Sequence, residues 1–286
     1  MRKISFADIS IFIVNYIFNW RFRIAKLTKQ SKIIRKIIDK GLFEDDDVTV
    51  IPNTIKINKT IEAEKSEFIP TDILKEVIEK IDDIVIMNSC LCRTSNNCKN
   101  YPQDIGCIFL GPTARKIPQN LCHKASKKEA LDHVDKADAA GLSHIIGRNK
   151  IDSIWMNVKP KEGLLTICHC CPCCCLWKVI PQLDDKISDK MHKLDGVEIA
   201  IDNSKCIDCM KCLNEICMSE AISFKDNAIQ INQNKCRGCG LCVNICKQNA
   251  ITLKYNDKSI DSIVNKLHNL VAVSYTHLTL PTIRLV

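Results

Sequence analysis

Residues 206–246 read CIDCMKCLNEICMSEAISFKDNAIQINQNKCRGCGLCVNIC and contain eight of the chain's nineteen cysteines. The first four cysteines are spaced C-x2-C-x2-C-x4-C and the last four C-x2-C-x2-C-x3-C, so the pattern repeats after thirty residues. Apolar residues around each run predict a strand, a loop, a short helix and a second strand, the second strands lying at 221–224 and 250–253. Thiols at such short, regular spacing indicate metal ligands rather than disulfide partners.

The two runs resemble those of the bacterial-type two-cluster ferredoxins. In that family three cysteines of one run and the last cysteine of the other hold each [4Fe–4S] cubane. The resemblance implies that the ligands of one cluster are Cys206, Cys209, Cys212 and Cys246. It implies that the ligands of the other cluster are Cys236, Cys239, Cys242 and Cys217. The alternative for these eight thiols is a pair of four-cysteine zinc sites.

Two features depart from the ferredoxin pattern. Met218 and Lys247 stand where the family usually has proline, and the gap between Cys212 and Cys217 has one extra residue. Neither departure removes a ligand, so both clusters are still expected.

A second cysteine-rich stretch, CHCCPCCC at 168–175, carries six thiols in eight residues. Free cysteine packs as a small hydrophobic residue, but clustered thiolates repel one another and oxidise unless a metal ion neutralises them. We therefore expect a metal or redox site here. All-sulfur sites suit both zinc and iron–sulfur clusters, and the spacing does not match a zinc ribbon, so both cofactors stay open.

The ligands of this third site are expected to be a subset of ten cysteines, because adjacent side chains point in different directions. Within the tract the candidates are Cys168, Cys170, Cys171, Cys173, Cys174 and Cys175. Earlier in the chain they are Cys90, Cys92, Cys98 and Cys107. Cys122 is predicted not to ligate, and His133 and His144 are predicted to be ordinary polar residues.

The remaining patterns predict an α+β fold. Short strands are expected at 48–50 and 55–57, a helix over 71–81 and a buried strand at 84–87. A capping box at 126–129 starts a further helix that ends at a glycine. The C-terminal module is expected to consist of short antiparallel strands and short helices.

The N-terminal 43 residues carry the net charge of the whole chain, +8, and apolar residues recur there at helical spacing. This pattern predicts basic amphipathic helices. The apolar run is too short and too interrupted by polar residues to span a bilayer, and no signal peptide is expected. Docking onto the rest of the protein or a partner subunit is favoured over an anionic membrane surface, and no nucleic-acid partner is expected.

We therefore divide the chain into a basic helical segment (1–43), a cysteine-rich α+β domain (44–196), a two-cluster module (197–257) and a tail (258–286). Within the tail, 273–286 resembles translated sequencing-adapter readthrough rather than natural protein sequence.

Residues 69–253 as a whole resemble a family of iron–sulfur proteins of anaerobes, the 4Fe–4S ferredoxin-type proteins. The matching signatures are the strand end 86–88 leading into Cys-x-Cys-Arg, the stretches 104–107 and 141–150, and the tract ending Leu-Trp-Lys at 176–178. The resemblance implies a cysteine-rich domain fused to a two-cluster ferredoxin module.

Three functions follow from these patterns. The first is electron transfer between redox partner proteins through two [4Fe–4S] clusters, with a further metal or redox site. The second is participation in a reductase, as the subunit with thiol, disulfide or other reductive chemistry at the cysteine-rich site. The third is a zinc or thiol module without redox function.

No catalytic acid, base or nucleophile is assigned and no nucleotide-binding loop is present. Exposed clusters and unpaired thiols predict a reducing cytoplasm, with peripheral membrane contact as an alternative.

Overall fold

The computed structural model describes residues 18–53, 70–255, 263–267 and 269–270, together with Ile9, Ile13 and Tyr16. The α-helices are α1 (Arg21–Gln30), α2 (Lys32–Ile38), α3 (Pro70–Glu79), α4 (Leu91–Ser95), α5 (Lys127–Ala139), α6 (Lys150–Trp155), α7 (Asp185–Ser188) and α8 (Leu241–Ile245). The strands are β1 (Asp47–Ile51), β2 (Ile84–Met87), β3 (Ile108–Leu110), β4 (Cys122–Lys124), β5 (Ser143–Arg148), β6 (Leu165–Cys170), β7 (Met191–Lys193), β8 (Val197–Ile201), β9 (Ile222–Lys225), β10 (Ala228–Ile231) and β11 (Ile251–Tyr255).

A seven-stranded sheet organises the first part of the chain, with the strand order β4-β2-β3-β6-β5-β1-β7. Neighbouring strands run antiparallel except β1 and β7, which run parallel. Helices and mixed sheets together confirm the α+β class.

Side chains alternate between the two faces of this sheet because successive residues of a strand point in opposite directions. On one face, Ile84 and Ile86 of β2 join the main apolar core together with residues of α3 and α5. On the other face, Val85 and Met87 belong to a separate apolar cluster. The second face is the one that carries the cysteines of β6.

The C-terminal module contains two small antiparallel pairs, β8 with β11 and β9 with β10. The first strand of the module thus pairs with the last one, which interleaves the two halves. The turn between β9 and β10 is Asp226-Asn227, both with positive φ (53° and 57°), as a tight two-residue hairpin requires. Apolar residues of this module and of the sheet form one continuous core.

The predicted elements agree closely with the observed ones where they can be compared. The helix expected over 71–81 is α3, and the strand expected at 84–87 is β2. Ser126 caps α5, since its hydroxyl accepts a hydrogen bond from Glu129 N at 3.2 Å. The strand expected at 55–57 lies outside the described residues, as does the segment 273–286.

The N-terminal helices pack against the rest of the protein through a narrow face. Ala25 and Thr28 of α1 are buried, and Asp184 N donates to Thr28 Oγ1 at 2.9 Å. The helix is interrupted at Ser31, whose extended backbone separates α1 from α2. The spacing of apolar residues did not indicate this interruption. The large apolar side chains of this segment that point to solvent are Ile9, Ile13, Tyr16, Trp20, Ile24, Leu27, Ile33 and Ile37. Within the described ranges, no helix is both long enough and apolar enough to cross a bilayer.

Candidate metal centres

The two ligand loops of the C-terminal module share one backbone conformation. Asp208 and Met210 in the first loop, and Gly238 and Gly240 thirty residues later, all have positive φ, at 52°, 59°, 66° and 74°. Such turns aim backbone N–H groups at sulfur, and Gly238 N lies 3.4 Å from Cys236 Sγ. The sequence repeat is therefore also a structural repeat.

The eight cysteines of this module line two cavities. The cysteines that line the first cavity are Cys206, Cys209, Cys212 and Cys246. The cysteines that line the second cavity are Cys217, Cys236, Cys239 and Cys242. Each cavity combines three thiols of one run with the last thiol of the other, because β8 and β11 pair across the two halves.

The separation of these sulfurs suits a cluster rather than a single ion. Among the described residues, no three of the eight Sγ atoms lie within 4.8 Å of one another. A cubane binds each thiolate at a different iron atom, so its ligands stand further apart than those of a mononuclear site. The donor set and its spacing therefore fit a [4Fe–4S] cluster in each cavity.

Burial disfavours the ionised, thiolate form of these cysteines. Desolvation raises the pKa of Cys239 to about 12, and burial also raises the pKa of Cys242 well above its ordinary value. A thiolate at either position needs a cation beside it, which iron supplies. Cys209 is exposed, so the first cavity reaches the surface.

The cysteine tract leaves the sheet along β6. Ile167 and Leu165 point into the main core, whereas Cys168 and Cys170 pack on the opposite face. The chain then turns through 171–175 and enters a short helix, Leu176–Gln182. The strand and the turn therefore send the thiols of one short tract to different places.

Four thiols form a tight group in which all Sγ atoms lie within 4.8 Å of one another: Cys98, Cys171, Cys173 and Cys174. Cys173 Sγ is 3.7 Å from Cys98 Sγ, 3.6 Å from Cys171 Sγ and 3.4 Å from Cys174 Sγ. Cys98 comes from the loop after α4 and the other three from the turn after β6, so this group joins two distant stretches of chain.

The other six cysteines of the expected third site line an adjoining cavity, which Cys171 also lines: Cys90, Cys92, Cys107, Cys168, Cys170 and Cys175. Its remaining walls are largely apolar and include Met87, Phe109, Trp155 and Trp177. The closest approach is 3.5 Å, between Cys107 Sγ and Cys168 Sγ. We call this cavity the six-cysteine pocket.

Arg93 lies fully buried beside both thiol groups. Its guanidinium donates to His169 O at 2.7 Å and to Ile105 O. Burial disfavours its charge, but the nearby Cys90 and Cys171 thiolates favour it and raise the pKa of Arg93. A hydrogen bond from Cys92, with the charge of Arg93 nearby, lowers the pKa of Cys90 to about 6.

A buried histidine pair lies behind the tract. His144 Nε2 is 2.8 Å from Asp138 Oδ1, and His144 Nδ1 is 2.8 Å from His169 Nδ1. A carboxylate only accepts, so His144 donates to Asp138 through Nε2. Burial lowers the pKa of His169 well below its ordinary value, which keeps this ring neutral. The sequence predicts that His144 is an ordinary polar residue rather than a ligand, and in the structure it lies in β5, a strand that is buried on both faces.

Cys122 lies apart from the two thiol groups, whereas the His133 ring packs edge-on against the His169 ring, with 5.2 Å between their centroids. The Cys122 thiol lies 3.5 Å from Pro118 O and 3.8 Å from Ile117 O, on the edge strand β4. His133 Nε2 lies 2.9 Å from Gly106 O.

Comparison with known proteins identifies relatives of part of the chain. The profile of a family described as a 4Fe–4S binding domain matches residues 229–252. A component of the ion-translocating oxidoreductase complex of Methanosarcina acetivorans is 40% identical over 73 residues, 23% of this chain and 27% of that protein. The pyruvate synthase subunit PorD of Thermotoga maritima is 38% identical over 85 residues, 27% of this chain and 85% of that protein.

The lengths of these matches differ widely. The indolepyruvate oxidoreductase subunit IorA of Methanothermobacter marburgensis is 39% identical over 56 residues, and the chain covers 9% of it. The chain thus spans about a quarter of the ion-translocating component and less than a tenth of IorA, but most of PorD. No solved structure matches the chain.

Proposed function

Because the chain belongs to the 4Fe–4S ferredoxin-type proteins, we propose that it transfers electrons through two [4Fe–4S] clusters in its C-terminal module. The ligands of the first are Cys206, Cys209, Cys212 and Cys246. The ligands of the second are Cys236, Cys239, Cys242 and Cys217. The observation that carries the proposal is that each of these sets lines one cavity with widely spaced sulfurs.

When bound, each cluster takes up and releases one electron at a time. The protein's part is to hold the thiolates, to donate backbone hydrogen bonds to sulfur and to limit access of water. Ala221 N, for example, lies 3.2 Å from Cys217 Sγ. Such hydrogen bonds stabilise the more negative, reduced state and so raise the reduction potential.

The two cavities have different surroundings, and this difference indicates a path for electrons through the module. The exposed Cys209 makes the first cavity the place for contact with a redox partner. Cys239 of the second cavity packs against the apolar cluster that contains Cys170, Cys175 and Trp177. We therefore place the second cluster between the partner and the six-cysteine pocket.

Replacement of one exposed ligand tests the assignment. Cys209→Ser should lower the iron content after anaerobic reconstitution by about four atoms per chain, since one cubane is lost. Cys122→Ser is the matched control and should keep the iron content of the wild type. Full iron in Cys209→Ser would contradict the ligand set, and loss of all iron would contradict separate clusters.

A second function is favoured by one observation at the six-cysteine pocket. Cys90 has a pKa lowered to about 6 and faces an apolar cavity with six further thiols, Cys171 included. We propose that this pocket is a redox site, either a further cluster or a thiol pair that reduces a disulfide. Disulfide cleavage to two thiols consumes two electrons and two protons, and the two clusters would supply the electrons one at a time.

Two measurements on the intact protein separate these forms of the redox site. A further cubane predicts about twelve irons per chain and an additional EPR signal after reduction. A thiol pair predicts about eight irons, and the dithionite-reduced protein then cleaves an aromatic disulfide faster than Cys90→Ser does. Eight irons without cleavage would contradict the redox site.

We further propose that the chain works in a complex with redox partner proteins. The relatives named above are subunits of oxidoreductases or of an oxidoreductase complex. The exposed apolar side chains of α1 and α2, set among lysines and arginines, are the proposed docking surface. Sedimentation with anionic vesicles, compared with copurification from a cross-linked native extract, distinguishes a membrane surface from a partner subunit.

A further inference from the structure

We propose that Cys98, Cys171, Cys173 and Cys174 bind a single zinc ion in a closed tetrahedral site that adjoins the six-cysteine pocket. The tract was expected to serve one site, and the structure divides its thiols between two. This inference goes beyond electron transfer and does not depend on it.

The distances between the four sulfurs indicate a site for one metal ion rather than for a cluster of several. A tetrahedral ion with metal–sulfur bonds of about 2.3 Å holds its sulfurs about 3.8 Å apart. Cys173 Sγ lies 3.4, 3.6 and 3.7 Å from the other three sulfurs, and all four lie within 4.8 Å of one another. The ferredoxin thiols of the same chain contain no such group among the described residues, and the six-cysteine pocket has a close pair, Cys107 and Cys168, but no such group.

The same distances exclude a disulfide as the reason for the cluster. A disulfide bond is about 2.05 Å long, and all four thiols are free. Thiols this close repel one another once ionised, so a cation at the centre is needed to hold all four as thiolates. A d¹⁰ ion such as zinc accepts the tetrahedral all-sulfur geometry without further demands.

The environment of the site is that of a structural metal centre. Cys98, Cys171 and Cys174 are buried, and the four thiols complete the coordination, so no position is left open for a substrate. Cys174 N lies 3.4 Å from Cys171 Sγ, the type of backbone contact that orients a metal thiolate.

The buried charge near the four thiols also supports a zinc site. Zinc with four thiolates has a net charge of about −2, which is costly to bury without a partner. Arg93 is fully buried, interacts electrostatically with Cys171 and donates its described hydrogen bonds to main-chain carbonyls rather than to a carboxylate. Its guanidinium therefore serves as the counter-charge shared by the two thiol groups.

The proposed zinc ion is expected to cross-link two distant stretches of the chain. The ion links the loop that follows α4 to the turn that follows β6. It thereby holds one wall of the six-cysteine pocket, because Cys171 also lines that pocket. The zinc ion fixes the wall of the proposed redox site without taking part in it.

Metal analysis of the full-length protein tests the proposal. We expect about one zinc per chain in the wild type and in Cys122→Ser, and at least a tenfold loss in Cys98→Ser and Cys173→Ser. The iron of the C-terminal module should be unchanged in these variants, which separates this test from that of the proposed function. Iron in place of zinc, or zinc retained in both variants, would overturn the assignment.

A measurement on the wild type covers the case in which the variants fail to fold. Zinc K-edge absorption spectroscopy should find four sulfur neighbours at about 2.3 Å. Cobalt-grown protein should show the visible bands of a tetrahedral tetrathiolate. Nitrogen or oxygen neighbours in the zinc spectrum, or the absence of zinc from the wild type, would refute the site.

Discussion

Arg93 shows how strongly one buried charge can depend on its neighbours. It has no exposed surface, and its two described hydrogen bonds go to main-chain carbonyls on either side, His169 O and Ile105 O. Neutral carbonyls do not balance a cation, so the thiolates around it must supply the negative charge.

Loss of this side chain should therefore be costly. Arg93→Met is expected to lower the free energy of unfolding by about 3 kcal/mol and to reduce metal binding at both thiol groups, because it removes their counter-charge. Anaerobic urea denaturation with metal analysis measures both. The control is Lys128→Met, which breaks an ion pair with Asp132 in which both side chains are exposed (85% and 53%), and it should cost under about 1 kcal/mol. Equal stabilities for the two variants would contradict the role of Arg93.

Asp46 gives a pH dependence of known sign. It accepts a hydrogen bond from Lys150 N at 2.7 Å, and burial raises its pKa from 3.8 to about 7. The folded state therefore holds a proton that the unfolded state has released between about pH 4 and pH 7. The stability contributed by this protonation is complete below about pH 4 and is lost as the pH rises through about 7.

Asp46→Asn should remove this dependence, since the amide keeps the acceptor and cannot ionise. The stability of the wild type relative to the variant is expected to fall between about pH 5 and pH 7.5. Urea denaturation of both proteins across this range measures the difference. A constant difference would mean that Asp46 is ionised throughout.

The paired ligand loops show the effect of one residue on an element. Gly238 has a φ of +66°, and a Cβ there would approach Lys193 Cγ to 2.8 Å and Val197 Cγ1 to 2.9 Å. The equivalent residue of the first loop, Asp208, adopts a φ of 52° and bears the strain of a side chain in that region.

Opposite substitutions should thus have opposite effects. Gly238→Ala is expected to destabilise the protein by about 1–2 kcal/mol and to lower the iron retained at the second cavity. Asp208→Gly relieves the strained φ and should be neutral or slightly stabilising. Thermal denaturation under anaerobic conditions compares them, and a fully stable Gly238→Ala would show that the loop can adopt another path.

Helices, strands and caps could be predicted from the sequence where a short stretch of residues determines them. The strand β2, the helix α3 and the cap at Ser126 follow from short apolar runs and a capping box. The break at Ser31 was not indicated, because an apolar stripe continues across it and the serine cap has a weaker signal.

A single core joins the parts of the molecule. Ile263, Val264 and Leu267, within the segment that the sequence assigned to the tail, are buried in the same apolar cluster as the sheet and the C-terminal module. Arg148 also donates to Leu270 O at 2.6 Å. The division into domains at 196 and 257 stays a proposal, and this packing connects its parts.

Leu267→Ala should test that connection, since Leu267 is 1% exposed. We expect a loss of about 2–5 kcal/mol of stability. The loss should appear equally in far-ultraviolet circular dichroism and in the visible absorbance of the clusters, because one core supports both. Ile33→Ala, at a 73% exposed side chain, is the control and should change stability little. A shift in only one of the two signals would show that the parts unfold separately.

The spacing of the cysteines in 206–246 was enough to predict a ferredoxin-type module, because ligand loops are local and their residues follow one another at fixed intervals. The ligand sets, which cross between the two runs, were implied by the resemblance to two-cluster ferredoxins and stay a proposal. The division of the other ten thiols into a tight group of four and a pocket of six depends on packing instead. Cys98 reaches Cys173 across 75 residues, and Arg93 donates to His169 O across 76 residues. No periodicity records such contacts, since the order of strands in the sheet is what brings them together.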